Sequence, residues 1–280
     1  MKTIYNFFIC LKCHLFNAVC MVAAAVLLGP SFPHAARADS APNPIRVGIE
    51  SGEDEDLWAI VAQQAKKRGL NVKVVTFNDY TQPNEALEHG DLDANAFQHV
   101  PYLDNQIKTR GYHISIVGYT AIWPIGLYSH KHKSVAELPN GAKIGVPNDP
   151  SNEGRALVLL QDVGLIKLRP GAGINATSTD IVANPKNIQL RELDAGIVGR
   201  SIDDLDAAVV NTDWAAKSQL TKKDRIATEP AKDNPYRNII AVKTGHQNDP
   251  WARTLLASYQ NDTIKAALQT VYKGTAIPGW

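Results

Sequence analysis

Apolar runs of strand length alternate with amphipathic runs of helix length through most of the chain. Residues 45–49 (IRVGI) are typical of a short buried strand, and residues 72–75 (VKVV) of a second one. Between them, helical spacing places four apolar side chains on one face: Leu57, Ile60, Val61 and Ala65. The basic run 66–68 followed by Gly69 is typical of a helix end. This order of elements predicts an α/β fold with a parallel sheet covered on both faces.

The same alternation resumes after Pro124. A strand is predicted at residues 143–146, followed by a helix that has Ser151 as its N-cap. Further strands are predicted at residues 188–193, 207–210 and 239–242. Two short amphipathic helices are predicted between residues 249 and 272. A second α/β unit therefore follows the first.

Two proline-containing segments, Trp123-Pro124 and Asn234-Pro235, favour extended crossings between two lobes. We predict one lobe from residues 44–122 together with 239–280, and the other from residues 123–238. A cleft between two lobes is a common place for a small ligand. Two ordinary loops within one domain are the alternative, because periodicity alone does not separate the two arrangements.

The beginning of the chain has a different character. Lys2 and Lys12 precede an apolar stretch at residues 15–28, and the sequence Ala-Arg-Ala at residues 36–38 matches a cleavage site. The apolar stretch is shorter than the roughly 20 residues that span a bilayer. We predict a secretory signal peptide at residues 1–38 and a periplasmic protein.

Cysteine usage and charge narrow the function classes. Cys10, Cys13 and Cys20 all precede residue 39, so the exported chain has no thiol for catalysis, metal binding or a disulfide. Attachment of lipid to Cys20 is the disfavoured alternative. The presequence holds three of the 29 basic residues, so 26 basic residues face 28 acidic ones in the exported part, a net of −2. We expect no nucleic acid partner, because such partners need a basic stripe.

The densest group of side chains suited to ligand binding lies at residues 93–102 (DANAFQHVPY), between a predicted strand and a predicted helix. Phe97, His99 and Tyr102 could line one wall of an apolar pocket. Aromatic edges attract a thioether sulfur by about 0.3–1.5 kcal/mol per contact. The competing interpretation is a core phenylalanine with a surface histidine.

A second group lies at residues 147–155 (PNDPSNEGR), where a strand leads through a turn into a helix. Backbone N–H groups at a helix start suit an anion. Arg155 is unfavourable for the helix dipole there, so we interpret it as a residue that grips a carboxylate bidentately. A surface pairing with Glu153 or Asp149 is the alternative.

A third group lies at residues 209–215 (VVNTDWA), where a buried strand leads into a helix. Asn211 could bind an ammonium and a carboxylate together, because an amide both donates and accepts hydrogen bonds. A helix N-cap is the alternative role for this residue.

In these groups and their surroundings the chain resembles the methionine-binding lipoproteins of bacterial ABC importers, the NlpA lipoprotein family. Two motifs are specific to the resemblance: FQHVPYL at 97–103 and VPNDPSNEGRAL at 146–157. The matching segments, in order along the chain, are residues 93–112, 134–168, 184–193, 200–215 and 234–240.

The resemblance implies a two-lobed, periplasmic-binding-protein-like α/β fold with a ligand cleft between its lobes. It also implies a monomeric solute-binding protein that delivers L- or D-methionine to the membrane subunits of an ABC importer, without a cofactor. The residues matching the family's pocket for the ligand side chain are Tyr80, Phe97, His99 and Tyr102. Arg155 matches the carboxylate-binding arginine, and Asn211 and Asn238 match the asparagines that hold the ligand's backbone groups. Only the resemblance points to Tyr80 and Asn238.

Two departures from the family pattern concern the ligand. Trp123 and Trp214 stand where tyrosine is commoner. Because bulkier indoles would reshape the pocket, a methionine-containing dipeptide or another amino acid is the alternative ligand. The family's lipid-attachment cysteine is also not recognisable in this sequence.

Two other function classes fit the sequence less well. The chain lacks the G-x-S-x-G, H-E-x-x-H and phosphate-loop motifs of common enzymes. His130 and His132 could point two imidazoles to one face of a strand, which is half of a zinc site. We therefore predict a binding protein with neither a catalytic residue nor a metal ligand.

Overall fold

The computed structural model describes residues 43–280, so the predicted signal peptide and its three cysteines lie outside the described residues. The first elements are β1 (Ile45–Glu50), α1 (Glu53–Lys67), β2 (Val72–Phe77), α2 (Gln82–His89), β3 (Ala94–Asn95), α3 (Val100–Arg110), β4 (Ile114–Tyr119), β5 (Ala121–Ile122) and β6 (Gly126–Tyr128). None of the helices within residues 43–280 is long and apolar enough to cross a bilayer.

The remaining elements follow in the predicted alternation. They are β7 (Lys143–Pro147), α4 (Pro150–Asp162), β8 (Lys167–Leu168), β9 (Ile181–Ala183), β10 (Gln189–Leu193), α5 (Ala195–Val198), β11 (Ala207–Val210), α6 (Thr212–Lys217), β12 (Arg225–Thr228), β13 (Ile239–Lys243), α7 (Pro250–Tyr259), α8 (Asp262–Val271) and β14 (Ile277–Pro278). Short 3₁₀ turns lie at Val135–Glu137, Gly173–Asn175, Ser178–Asp180 and Gly199–Asp204.

Two five-stranded sheets form the framework. The first has the order β2-β1-β3-β13-β4 and the second the order β10-β7-β11-β6-β12. Strand β1 runs parallel to β2 and β3, and β7 runs parallel to β10 and β11, as strand–helix–strand units require. The two-lobed α/β fold predicted from the sequence is confirmed.

The parallel pairing predicted from the first strands is found between β1 and β2, but both sheets are mixed. Strand β13 pairs antiparallel with β3 and β4, and β6 pairs antiparallel with β11 and β12. Each of these two strands reaches its sheet from the other sheet and not through a crossover helix, so nothing imposes the parallel direction on it.

The chain crosses between the sheets twice. It leaves the first sheet after β4 and joins the second at β6, and Trp123-Pro124 lies in this connection. It returns between β12 and β13, and Asn234-Pro235 lies in that connection. The residue bounds of the two lobes stay a prediction.

Each sheet is covered by its own apolar core. Trp58 of α1 and Tyr259 of α7 pack on the first sheet, with ring centroids 5.7 Å apart. Ile144 of β7 and Leu157 of α4 lie in the core of the second sheet, and both are fully buried. Burial of one such side chain stabilises the fold by about 1.5–3 kcal/mol.

Helix α4 begins differently from the prediction. Its N-cap is Asp149 and not Ser151, because Pro150 takes the first helical position, where a missing N–H does no harm. The Asp149 carboxylate accepts a hydrogen bond from the backbone N–H of Asn152 at 3.0 Å. This cap fixes the start of the helix that carries Arg155.

Gly154 sets how closely α4 approaches the turn at Gly173–Asn175. A Cβ at this position would overlap the carbonyl oxygen of Ile174, which as backbone cannot swing away. We expect Gly154→Ala to lower the free energy of unfolding by about 1–3 kcal/mol, as overpacking does elsewhere. Asp162→Ala, at the exposed C-terminal end of the same helix, is the control and should be near neutral. Equal urea midpoints for the two variants would contradict the close contact.

Candidate functional site

A cavity of about 250 Å³ lies between the two sheets, and both sheets contribute to its lining. Its walls come from the carboxyl ends of β1, β3 and β11, where α/β folds usually bind ligands. All seven residues predicted from the sequence line this cavity: Tyr80, Phe97, His99, Tyr102, Arg155, Asn211 and Asn238. The structure therefore brings together residues that are up to 158 positions apart in the chain.

The aromatic side chains form one continuous wall. The ring centroids of Phe97 and Tyr102 lie 5.9 Å apart, and each lies 6.1 Å from the Tyr80 ring. The Tyr102 hydroxyl donates to the Tyr80 carbonyl oxygen at 2.8 Å, which fixes the order of the rings. Such a wall offers ring edges and faces to an apolar or thioether side chain.

His99 is buried and neutral, so the surface histidine considered above is wrong. It is the N-cap of α3, and its Nδ1 accepts a hydrogen bond from the Tyr102 N–H at 3.1 Å. This assigns the ring proton to Nε2, which lies 3.2 Å from Oδ1 of Asn152. Burial, with the nearby Arg155 charge, lowers the pKa of His99 to about 3.

Asn152 joins the two sides of the cavity. Its Oδ1 also accepts a hydrogen bond from Nδ2 of Asn211 at 2.9 Å, and its Nδ2 donates to Asp149. The sequence motif contains Asn152, but its role was not predicted. Its position three residues before Arg155, on the same helix face, was the available signal.

Asn211 occupies the N-cap position of α6, yet its side chain makes no capping hydrogen bond. The capping interpretation is therefore wrong. Its Oδ1 is buried and has no donor within the described part of the chain, although it lines the cavity. A buried acceptor without a donor is unfavourable, so this oxygen suits an N–H group of a ligand.

Asn238 lies just before β13 and forms an isolated backbone bridge with His99. Its Nδ2 donates to the Phe97 carbonyl oxygen at 3.2 Å. This amide thus holds the strand end that carries Phe97 and His99, while the residue itself faces the cavity.

Arg155 is held by Glu229, a residue that the sequence reading missed. Its Nε lies 3.0 Å from Glu229 Oε2, its Nη2 bonds Glu229 Oε1, and Nη2 also donates to the Trp123 carbonyl oxygen at 2.9 Å. The guanidinium lies over the Tyr236 ring, 4.3 Å from its centroid. No local sequence signal links Arg155 to a carboxylate 74 positions away.

The surface pairing of Arg155 is wrong. The arginine is only 3% exposed, and the two nearby carboxylates bond other groups. Asp149 caps α4, and Glu153 accepts the Ser178 N–H at 3.0 Å. The bonds to Glu229 and Trp123 use Nε and Nη2, so Nη1 has no acceptor among residues 43–280.

Acidic residues line another part of the cavity and were not predicted either. This acidic part consists of Glu50, Glu53, Asp54 and Asp213, with Lys217 as its cation. Lys217 Nζ donates to Glu50 Oε2 at 2.9 Å, and the Tyr80 hydroxyl bonds Asp213 at 2.7 Å. The sequence alone gives these carboxylates the ordinary appearance of helix-start residues.

Burial changes the protonation of the acidic part. It raises the pKa of Glu50 to about 8, and the neighbouring Asp213 adds to the rise while Lys217 opposes it. Burial also raises the pKa of Asp54 to about 7, and it raises the pKa of Asp213. Glu50 and Asp54 therefore hold protons for part of the time at neutral pH.

The two histidines considered as half a zinc site make separate contacts. His130 Nδ1 lies 2.7 Å from Asp203, and His132 Nε2 lies 3.7 Å from Asp206. Within residues 43–280, no group of three histidine, cysteine or acidic side chains is arranged to hold a metal ion.

The chain is similar in sequence to known proteins over most of its length. A family model described as NlpA lipoprotein matches residues 45–280. The D-methionine-binding lipoprotein MetQ of Salmonella typhimurium is 48% identical over 243 residues, which are 85% of this chain and 89% of the relative.

Solved structures of other proteins are similar to this chain in both sequence and fold. A nutrient binding protein from Burkholderia cenocepacia bound to methionine is 51% identical, with a TM-score of 0.81, over 84% of this chain and 100% of that one. A periplasmic substrate-binding protein of an ABC transporter from Coxiella burnetii is 43% identical, with a TM-score of 0.81, over 84% and 100% of the two chains. The chain belongs to the NlpA lipoprotein family.

Proposed function

We propose that this chain is an exported, periplasmic, monomeric solute-binding protein that captures methionine for an ABC importer and catalyses no reaction. The observation that carries the proposal is one cavity that combines the oriented guanidinium of Arg155 with the aromatic wall. The relatives add support, since they are described as binding D-methionine or methionine. A methionine-containing dipeptide is the second candidate, because the acidic part extends the cavity beyond these two features.

The ligand's carboxylate is expected at Arg155. Glu229 and the Trp123 carbonyl fix the guanidinium plane, so Nη1 can donate to a carboxylate oxygen without further ordering of the side chain. The α-nitrogen of the ligand would donate to Asn211 Oδ1. The side chain would then lie against Phe97 and Tyr102.

Ligand binding would favour the closed arrangement of the lobes. Three side-chain contacts link groups carried by the two sheets: His99 with Asn152, Tyr80 with Asp213, and Glu50 with Lys217. A ligand that touches both sides adds contacts that an open form lacks, so it shifts the population toward closure.

The first test is thermal unfolding of residues 39–280, denatured and refolded to remove bound ligand. Methionine at a thousandfold excess over its dissociation constant should stabilise the protein by about 4 kcal/mol. Glycine and alanine, which cannot fill the aromatic wall, should shift the midpoint far less. Equal shifts with all three amino acids would contradict a methionine pocket.

The carboxylate role of Arg155 is best tested by removing the ion pair as a whole. Arg155→Ala alone would leave Glu229 buried without its cation, at a cost of about 3–5 kcal/mol. Arg155→Met combined with Glu229→Gln avoids this, and should weaken methionine binding by at least about 10- to 100-fold, the worth of one charge-assisted hydrogen bond. The control is Arg169→Met with Asp180→Asn, an ion pair that does not line the cavity. Near wild-type affinity in the first double variant, by calorimetry, would refute the role.

The aromatic wall is expected to recognise the sulfur. Phe97→Leu keeps an apolar side chain but removes a ring edge, so it should weaken methionine by about 2- to 12-fold, the range of one sulfur–aromatic contact. Norleucine, which has a methylene in place of sulfur, should lose much less. Phe77→Leu, in β2 and outside the cavity lining, is the matched control. Equal losses for the two ligands would argue against sulfur recognition at Phe97.

A further inference from the structure

The acidic part of the cavity has no role in binding a simple methionine carboxylate. The cavity lining holds four carboxyl groups, at Glu50, Glu53, Asp54 and Asp213, but only two cations, Arg155 and Lys217. Glu229, behind the lining, already neutralises Arg155. When all of these carboxyl groups are ionised, the cavity carries an excess of negative charge before any ligand carboxylate enters.

The hydrogen bonds divide the lining into two parts. Around Arg155, the side chains bond Glu229 and the Trp123 backbone. In the acidic part, Lys217 bonds Glu50, Tyr80 bonds Asp213 and Tyr272 bonds Asp54. Within the described chain, no side-chain hydrogen bond connects Arg155 to the acidic part, so a ligand can meet the two parts with different groups.

Two buried acceptors of this lining have no donor among residues 43–280. One is Oε1 of Glu50, a residue that is only 2% exposed, and the other is Oδ1 of Asn211, which is 8% exposed. Both residues line the cavity. A buried carboxylate oxygen without a donor is more unfavourable than an amide oxygen, because burial penalises charge most strongly.

The thioether end of methionine would not correct this. A thioether donates no hydrogen bond and carries no charge, so against Glu50 and Asp213 it would leave Glu50 Oε1 without a donor and the excess negative charge without a further cation. An ammonium group has three donors and a positive charge. Lys217, the cation already in the acidic part, has its Nζ 4.0 Å from the Trp214 ring centroid and 2.9 Å from Glu50 Oε2.

We propose that the acidic part of the cavity binds a primary ammonium group that lies at a different end of the ligand from the carboxylate held near Arg155. Two ligand classes carry that chemistry: a dipeptide through its amino terminus, and a diamino acid through its side chain. In either class, Asn211 Oδ1 accepts an N–H from the nitrogen next to the carboxylate-bearing carbon. This inference rests on the proposed function, because it needs a carboxylate ligand in the same cavity.

The test compares ligands that differ only in the ammonium group, by calorimetry on ligand-stripped residues 39–280 at pH 7. Glycyl-L-methionine is paired with N-acetyl-L-methionine, which has a hydrogen in place of its ammonium group, L-lysine is paired with L-norleucine, and L-methionine is the reference. At least one ammonium ligand should bind about tenfold or more tightly than its neutral partner. The pair that shows the preference identifies the class of ligand.

Two double variants test whether the preference for an ammonium ligand arises at Glu50 and Asp213. Glu50→Gln with Asp213→Asn keeps the shape of both side chains and should reduce the preference to about threefold or less. Asp56→Asn with Asp91→Asn changes the net charge equally at exposed residues outside the lining, and should preserve it. Circular dichroism and thermal midpoints check that each variant folds.

The pH dependence gives a second readout. Glu50, with a pKa of about 8, and Asp54, with a pKa of about 7, are partly protonated before binding. An ammonium favours their ionised forms, so binding releases protons and lysine affinity should rise between pH 6 and 8. The groups that face them are Asp213 and Lys217 of α6, Glu53 of α1 and the Tyr272 hydroxyl. The Tyr80 hydroxyl bonds Asp213 in turn. Norleucine should show a flatter profile, as should lysine with the double variant.

The outcomes are distinguishable. If methionine and norleucine bind as tightly as the ammonium ligands, and the Glu50 and Asp213 substitutions change nothing, the ammonium site is refuted while the proposed function stands. If none of the five ligands binds, the proposed function fails and the ammonium site with it. A preference that survives in the Glu50 and Asp213 double variant also refutes the site.

Discussion

The buried ion pair between Arg155 and Glu229 is the interaction on which the arrangement of the cavity depends. Arg155 lies on α4 of the second lobe, but all its partners belong to the connections between the sheets. The Trp123 carbonyl is in the first connection, and Glu229 and the Tyr236 ring are in the second. A group that binds this guanidinium therefore acts at the point where both crossings meet.

Such an ion pair contributes little to the stability of the fold, but it fixes the orientation of its side chains. Two charges must leave water, and their attraction only roughly compensates for that loss. Once formed, however, the pair leaves the guanidinium one orientation, because Glu229 accepts hydrogen bonds from two of its nitrogens and the Trp123 carbonyl accepts from one of these as well. Glu229 also accepts the Ile125 N–H at 3.1 Å, so the carboxylate is itself held by the first connection. In the proposed function, the orientation of the ligand's carboxylate would thus be set before the ligand arrives.

The amide network beside it depends on a neutral histidine. Asn152 Oδ1 accepts from both His99 and Asn211, which uses its two lone pairs. Protonation of His99 would not add a bond here, because Nδ1 already accepts from the Tyr102 N–H. Burial and the charge of Arg155 both oppose protonation. The ion pair and the neutral imidazole consequently support each other across the cavity.

Sequence patterns predicted those helices, strands and helix ends whose structure depends on residues nearby in the chain. The strand at residues 207–210 and the two helices near the C-terminus follow from hydrophobic periodicity. Gly69 lies just after α1 with a φ of +80°, a backbone conformation that glycine adopts readily. The N-cap of α4 was misplaced by two residues because both Asp149 and Ser151 can cap, and only Pro150 decides between them. Strand direction in β6 and β13 depends on where the chain crosses, which no local window contains.

The site was predictable to the extent that its residues lie in motifs. Two short sequence segments contain four of the predicted residues: Phe97, His99, Tyr102 and Arg155. Tyr80 and Asn238 were predicted only from the resemblance to the family. Glu229 and Glu50 had no signal, because their importance comes from partners 74 and 167 positions away. A carboxylate's role is set by its burial and its neighbours, and a sequence shows neither.

The two parts of the cavity differ in what a ligand can change. At Arg155 the charge is balanced and the geometry fixed, so every carboxylate ligand would meet the same proposed site and this interaction would discriminate little. In the acidic part the carboxyl groups outnumber the cations, and Glu50 and Asp54 have pKa values near neutral pH, so their protonation responds to the charge of a group that binds there. In the proposed site, discrimination among carboxylate ligands by charge would therefore depend on the acidic part, whereas discrimination by size and by the sulfur would depend on the aromatic wall.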